Sequence, residues 1–252
     1  MEKLLDEIES YWSTRTEGYS EVNHKELAGT QKNAWLKVLT SQFPDKPKEE
    51  IRILDIGTGP GFFPVILAEA GYHVDAVDYT EGMLEKAKEN AGDLCRNIRF
   101  LRMDAQKLDF EDNTFDVVIS RNLTWNLEHP DVAYREWVRV LKVGGRLLNF
   151  DANWYGYLYE EEQRKAYEND RKNVENNSLD DHYLCTDIER MERIALQVPL
   201  SKIRRPEWDV KTLREAGLLG IHTDTEIWKT VWSEEERLNY QSTPMFMVTG
   251  VK

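Results

Sequence analysis

The stretch ILDIGTGPGFF, Ile53 to Phe63, decides the fold. A short apolar run that suits a buried strand gives way to three glycines. An apolar segment that suits a helix follows. Glycines at a strand-to-helix turn let a ligand approach the backbone, and the helix N-terminus adds unpaired N–H groups and partial positive charge. Such a loop serves a dinucleotide pyrophosphate, the phosphates of ATP, or a cofactor with no phosphate. A P-loop needs Lys-Ser/Thr after its last glycine, but Phe62-Phe63 stands there. The dinucleotide fingerprint needs a glycine where this chain has Phe62.

Outward from this loop, strand and helix alternate from Ile51 to about Asp151. The predicted strands are 51–56, 73–78, 98–104, 116–121 and 146–152. The predicted helices between them are 62–70, one capped by Thr80 and one from Pro130 to Leu141. LGIHTDTEIW and TPMFMVTGV read as two closing strands after a helix in EWDVKTLREAGL. The expected architecture is α/β: a doubly wound, seven-stranded, mostly parallel sheet with an antiparallel last strand and a helical lid insertion. The expected units are a helical N-terminal cap (1–45), the core (46–152), the insertion (153–205), and a C-terminal helix with closing strands (206–252).

Ligands of open α/β sheets sit at the carboxyl edge, so the strand ends matter most. Strand one ends in Asp55 and the loop Gly57, Thr58, Gly59 and Gly61. Strand two ends in Asp78, seventeen residues after Gly61, where a carboxylate accepts both hydroxyls of a ribose. Tyr79 and Met83 follow as candidate walls of an adenine pocket. Strand three ends in Met103-Asp104-Ala105, where Asp104 suits an adenine amino group. Strand four ends in SRNLTWNLEHP.

The 252 residues carry 33 basic and 46 acidic side chains, a net charge of −13. A field of that sign disfavours nucleic acid as partner. KIRRP (202–206) is basic and reads as a solvated loop. No run approaches the roughly 18 apolar residues of a membrane span, and MEKLLDEIES lacks the pattern of a signal peptide. Cys95 and Cys185 have neither disulfide-framework nor zinc spacing, so no metal is expected. The cytoplasm is the expected compartment, and a monomer or homodimer the expected state.

Together these segments resemble the class I S-adenosylmethionine (SAM)-dependent methyltransferases. ILDIGTGPGFF is similar to their first motif, AVDYTEGML to the acidic second, MDAQKLDF and EDNTFDVVISR to the third and fourth. LKVGGRLLNFD is similar to the post-motif LKPGGxLxxxD. YWSTRTEGYS (Tyr11–Ser20) resembles the entry segment of the small-molecule, ubiquinone/menaquinone-biosynthesis type. The resemblance implies SAM as cofactor, S-adenosylhomocysteine (SAH) as product and a small-molecule methyl acceptor. It implies that Gly57 and Gly59 approach the methionine part, with Asp55 behind them. Asp78 then takes the ribose, Tyr79 and Met83 pack on adenine, and Asp104 and Ala105 bond its edge. Arg121 would give a backbone carbonyl to the amino group, while Tyr11, Arg15 and Tyr19 would belong to a closing segment.

One departure bears on mechanism. Relatives with the form CRxAxHHFxDP carry a His pair after strand four; here Trp125-Asn126 stands there, and neither titrates. An acceptor that needs no base, such as an amine or thiol, fits that change. Asn126, Asp151, His24 and His129 are the remaining candidates at the mouth. Asn122, Trp125, Asn126, Trp154 and Tyr155 are the candidate acceptor contacts, part of an aromatic supply that includes Tyr157, Tyr159, Trp12 and Trp35. A non-catalytic SAM/SAH-binding module and an aminopropyl-type transferase stay open, because the core motifs report binding rather than turnover.

Overall fold

Strands β1 (Arg52–Ile56) and β4 (Phe115–Arg121) are buried at nearly every position, as the near-continuous apolar runs of central parallel strands require. The computed structural model describes residues 4–183 and 186–252; Cys185 lies outside the described residues. In chain order, helices α1 (Leu4–Ala28) and α2 (Gln31–Ser41) lead into β1. Helix α3 (Phe62–Glu69), β2 (His73–Asp78), α4 (Glu81–Ala91) and β3 (Ile98–Arg102) follow. Then come β4, α5 (Pro130–Val140) and β5 (Leu141–Asp151). Beyond β5 lie α6 (Glu161–Asn176), α7 (Ile188–Ala195), α8 (Glu207–Glu215), β6 (Leu219–Asp224), α9 (Trp228–Val231), α10 (Glu234–Asn239) and β7 (Phe246–Val251).

The sheet order is β3-β2-β1-β4-β5-β7-β6. The first five strands pair in parallel, and β7 runs antiparallel to both β5 and β6. LGIHTDTEIW is therefore a strand only to Asp224; its end bends into α9, whose Val231 is buried against α2's side of the sheet. Alternate residues feed two cores, following the two-residue period of a strand. Ile53, Val117, Ile119, Leu148 and Phe150 meet Trp35, Phe62, Phe63 and Ile66 on one face. Leu54, Ile56, Val118 and Leu147 meet Tyr134, Trp137 and Leu213 on the other. Trp35, expected as a possible acceptor contact, is 0% exposed and packs edge-on against Phe63 and Phe150. Removing so large a buried ring typically costs about 3–5 kcal/mol.

Chain order reverses between β1 and β4, so the loops after them diverge and leave a crevice at their carboxyl ends. Helix α1 lies across this edge. A third cluster joins Ile8 and Tyr11 of α1 to Tyr155, Tyr157, Tyr183, Met191, Ile194 and Val198 from the segment after β5.

Candidate cofactor and acceptor site

One cleft of about 1090 Å³, counted to its open mouth, occupies the crevice. Its floor is the glycine loop. Gly57 N and Thr58 N both donate to Val77 O, at 2.8 and 3.0 Å, which pins the loop to the end of β2. Gly57 has φ +69°, and a Cβ there would come within 2.7 Å of Leu123. Gly59 has φ +52° and lies under the Tyr19 ring. A side chain at either position would be strained and would fill the cradle. Gly61 lies outside the cleft: a Cβ there would meet Ala87 of α4 at 3.0 Å, so its use is close packing of α3 on α4.

The cleft brings together Asp55, Thr58, Asp78, Tyr79, Met83, Asp104 and Ala105 from three strand ends, with Tyr19, Arg121, Asn122 and Asn126. Asp78 is held in place by Gly59 N at 2.9 Å and Thr80 N at 2.9 Å. Thr80 makes no side-chain cap bond to α4, so the expected Thr cap is replaced by the Asp78 carboxylate bonding the turn. Burial raises the Asp78 pKa, against the pull of those N–H groups. Burial likewise pushes Asp55 up to about 7, against Thr58 and Arg121. Asp104 accepts from Gln106 N and Gln106 Nε2, at 2.9 and 3.1 Å.

Helix α1 supplies a wall that the glycine motif did not reveal: Leu5, Ile8, Glu9, Trp12 and Asn23 join Tyr19. The signal was in the spacing. Ile8, Trp12, Tyr19, Asn23 and Glu26 recur at intervals of three, four and seven, which is one face of a helix. Glu9 binds Arg102 at 2.6 Å, and the Arg102 guanidinium lies 5.0 Å over Tyr79. At the other end Glu26 grips Arg121 with two bonds, at 2.7 and 3.0 Å. Arg121 also stacks among Trp35, Phe62 and Phe63. Burial opposes its charge, yet Glu26 holds its pKa above the ordinary arginine value. The side chain of Arg121 is thus a docking point for α1.

Several sequence candidates stand elsewhere. Asp151 is 0% exposed and outside the cleft. It accepts from Arg205 Nη1 at 2.7 Å, Trp125 N at 3.0 Å, Ala152 N at 2.9 Å and Trp154 Nε1 at 3.1 Å. A carboxylate so enclosed cannot serve as a base for a ligand in the cleft. Its partner corrects a second expectation: KIRRP is no solvated loop at Arg205, whose side chain is 0% exposed between Asp151 and Asp209. His24 is exposed on α1 and His129 is exposed before α5; neither lines the cleft. Trp125, Trp154 and Tyr155 also lie outside its lining. Trp125 packs on Tyr155, with ring centroids 5.0 Å apart, and gives its Nε1–H to Asn122 O at 3.0 Å. Trp154 packs edge-on against Tyr240. Tyr159 is half exposed at the surface. These rings support the wall from behind.

The residues fit SAM on the structure's own terms. The cradle over Gly57 and Gly59 excludes side chains, and two carboxylates stand at successive strand ends. Asp55, Asp78 and Asp104 all line the one cleft. Among the described residues no cluster of His, Cys, Asp and Glu has metal-holding geometry, and no helix is long and apolar enough to cross a membrane.

Residues 54–149 match the family described as methyltransferase domain. The demethylmenaquinone methyltransferase of Renibacterium salmoninarum is 31% identical over 148 residues, 59% of this chain and 60% of that one. The ubiquinone/menaquinone biosynthesis C-methyltransferase UbiE of Ectopseudomonas mendocina is 39% identical over 103 residues, 38% of this chain. The chain thus spans only 60% and 40% of these curated relatives' lengths. Among solved structures, Haemonchus contortus phosphoethanolamine N-methyltransferase 2 with SAM superposes with a TM-score of 0.64 at 18% identity, covering 92% of this chain and 56% of that one. Residues 54–149 thus carry a methyltransferase domain, and in strand order and motif-bearing core the chain is similar to the class I SAM-dependent methyltransferases of the UbiE-like type.

Proposed function

We propose that this protein transfers a methyl group from SAM to a small-molecule acceptor. One observation carries the reading: a single cleft joins the glycine loop to Asp78 and Asp104 at the next two strand ends. That set suits a nucleoside with free diol and free amine, and nothing in it suits a phosphate. The relatives named as quinone methyltransferases support a small acceptor.

Bound SAM supplies a methyl group on a positive sulfur, ready for in-line displacement. The chain's part is to bind, orient and exclude water. Asp78 and the loop backbone fix the nucleoside. Tyr19 closes over Gly59. The segments 1–45 and 153–205 are proposed to cover the acceptor end and set its size.

Calorimetry with SAM, SAH and NAD tests the assignment. SAM and SAH should bind and NAD should not. Gly59→Val should lose SAH binding at least a hundredfold while circular dichroism keeps its folded signal. Binding of NAD alone, or full affinity in the variant, would overturn the reading.

A further inference from the structure

Amide groups gather at one end of the cleft. Met83, Met103 and Ala105 line it at the β2 and β3 edge with Asp104. At the β1 and β4 edge the lining is Asn23, Asn122 and Asn126 with Tyr19 and Arg121. The three asparagines come from α1, from the turn after β4 and from the short helical turn Thr124–Asn126. Asn23 is 1% exposed and Asn126 is 3% exposed. Among the described residues, the Oδ1 atom of each of the three is buried without a hydrogen-bond partner. Asn122 holds its place at φ +55°, a left-handed conformation that Asn tolerates better than most residues.

Such acceptors call for donors. The ammonium of SAM brings three N–H groups to this end, and the two oxygens of Asp55 already stand beside the loop. Acceptor capacity therefore exceeds what the cofactor can satisfy.

We infer that the methyl acceptor is a small amine whose N–H groups are held by Asn23, Asn122 and Asn126; this rests on the methyl-transfer function proposed above. In the transfer, the nitrogen lone pair forms the new N–C bond. The S–C bond breaks and its electron pair stays on sulfur. Positive charge passes from sulfur to nitrogen, and the product ammonium releases its proton to solvent afterwards. No base is needed at the bond-forming step. That agrees with the sealing of Asp151 and the outward placement of His24.

The test uses the full chain and methyl-deuterated SAM. A protein-free metabolite extract supplemented with ethanolamine, sarcosine and histamine provides acceptors, and fragmentation mass spectrometry types each labelled product. N-methyl products are expected. Asn23→Leu and Asn126→Leu should each lower their rate of formation at least tenfold, while SAH affinity by calorimetry changes less than threefold. O-, S- or C-methyl products would overturn the inference, and so would unchanged rates in both variants. No labelled product despite SAH binding also counts against it. A parallel fall in SAH affinity would assign the amides to the cofactor instead and sink the proposal. A wild-type chain that binds no SAH fails the proposed function itself and takes this inference with it.

Discussion

Asp55 sits at the end of β1, 2% exposed, beside the loop that its sequence motif announces. Burial raises its folded-state pKa from 3.8 to about 7. Below about pH 4 folded and unfolded chains both hold the proton; between about 4 and 7 the folded chain alone holds it. The contribution of this residue to stability is therefore full below pH 4 and is lost as pH rises through 7. Ligand binding has the opposite slope, because an ammonium beside Asp55 favours the ionised carboxylate. SAH should bind about tenfold more weakly at pH 6 than at pH 8, and Asp55→Asn should flatten that dependence. Calorimetry at the two pH values decides it; equal slopes in both proteins would remove Asp55 from the ammonium. At this scale the sequence was legible wherever a strand end met a glycine loop, as at Gly57, Gly59, Asp78 and Asp104. It was not legible for Asp151. Its place after β5 marks the ligand edge, but only the fold brings Arg205, 54 residues away, onto its carboxylate.

Helix α1 is tied to the sheet by the Glu26–Arg121 pair, whose side chains are 6% and 14% exposed. Taking two charges out of water is costly, and their mutual attraction offsets that cost only while both remain. Removing one partner leaves a buried charge uncompensated. Glu26→Leu or Arg121→Met alone should lower unfolding free energy by about 3–5 kcal/mol, read as a shift of the urea midpoint. The double variant should lose less than the sum of the two. It should also bind SAH more weakly than wild type, because Tyr19 rides on the same helix. Additive losses would mean that Arg121 is held mainly by its stacking on Trp35, Phe62 and Phe63. At the level of elements, the α/β alternation from β1 to β5 followed from apolar runs, turn glycines and period. The bend from β6 into α9 did not, since LGIHTDTEIW alternates like one strand throughout. Tertiary packing of Ile227 and Val231 in the core overrides that pattern. The direction of α1 across the cleft was equally hidden, because long-range pairs such as Glu9–Arg102 and Lys86–Glu17 fix it.

Across the whole molecule, two bodies of side chains behave differently. The sheet and its flanking helices bury two large cores. The third cluster, by contrast, is built from α1 and the segment after β5 and holds tyrosines, aliphatics and Trp125. Tyr157 donates to Glu192 of α7, and Arg190 of α7 reaches Ser10 of α1. Helix α1 and α7 are thereby bound to each other while α1 is also pinned to the sheet at Arg102 and Arg121. A ligand that meets Tyr19 from below should steady α1, and α1 should steady α7 through the shared cluster. Hydrogen exchange with and without SAH measures this directly, since protection reports local opening. Saturation at 100 times the dissociation constant stabilises the binding-competent state by about 2.7 kcal/mol. Amides of α1, α6 and α7 should therefore slow together by up to about a hundredfold. Those of β1, β4 and β5, which open only with the whole fold, should slow by the full factor, because the ligand leaves on global unfolding. If the loop Gly57–Gly61 alone gained protection and α7 exchanged as before, the segment after β5 would be an independent unit, and its proposed role as a cover over the acceptor end would fall.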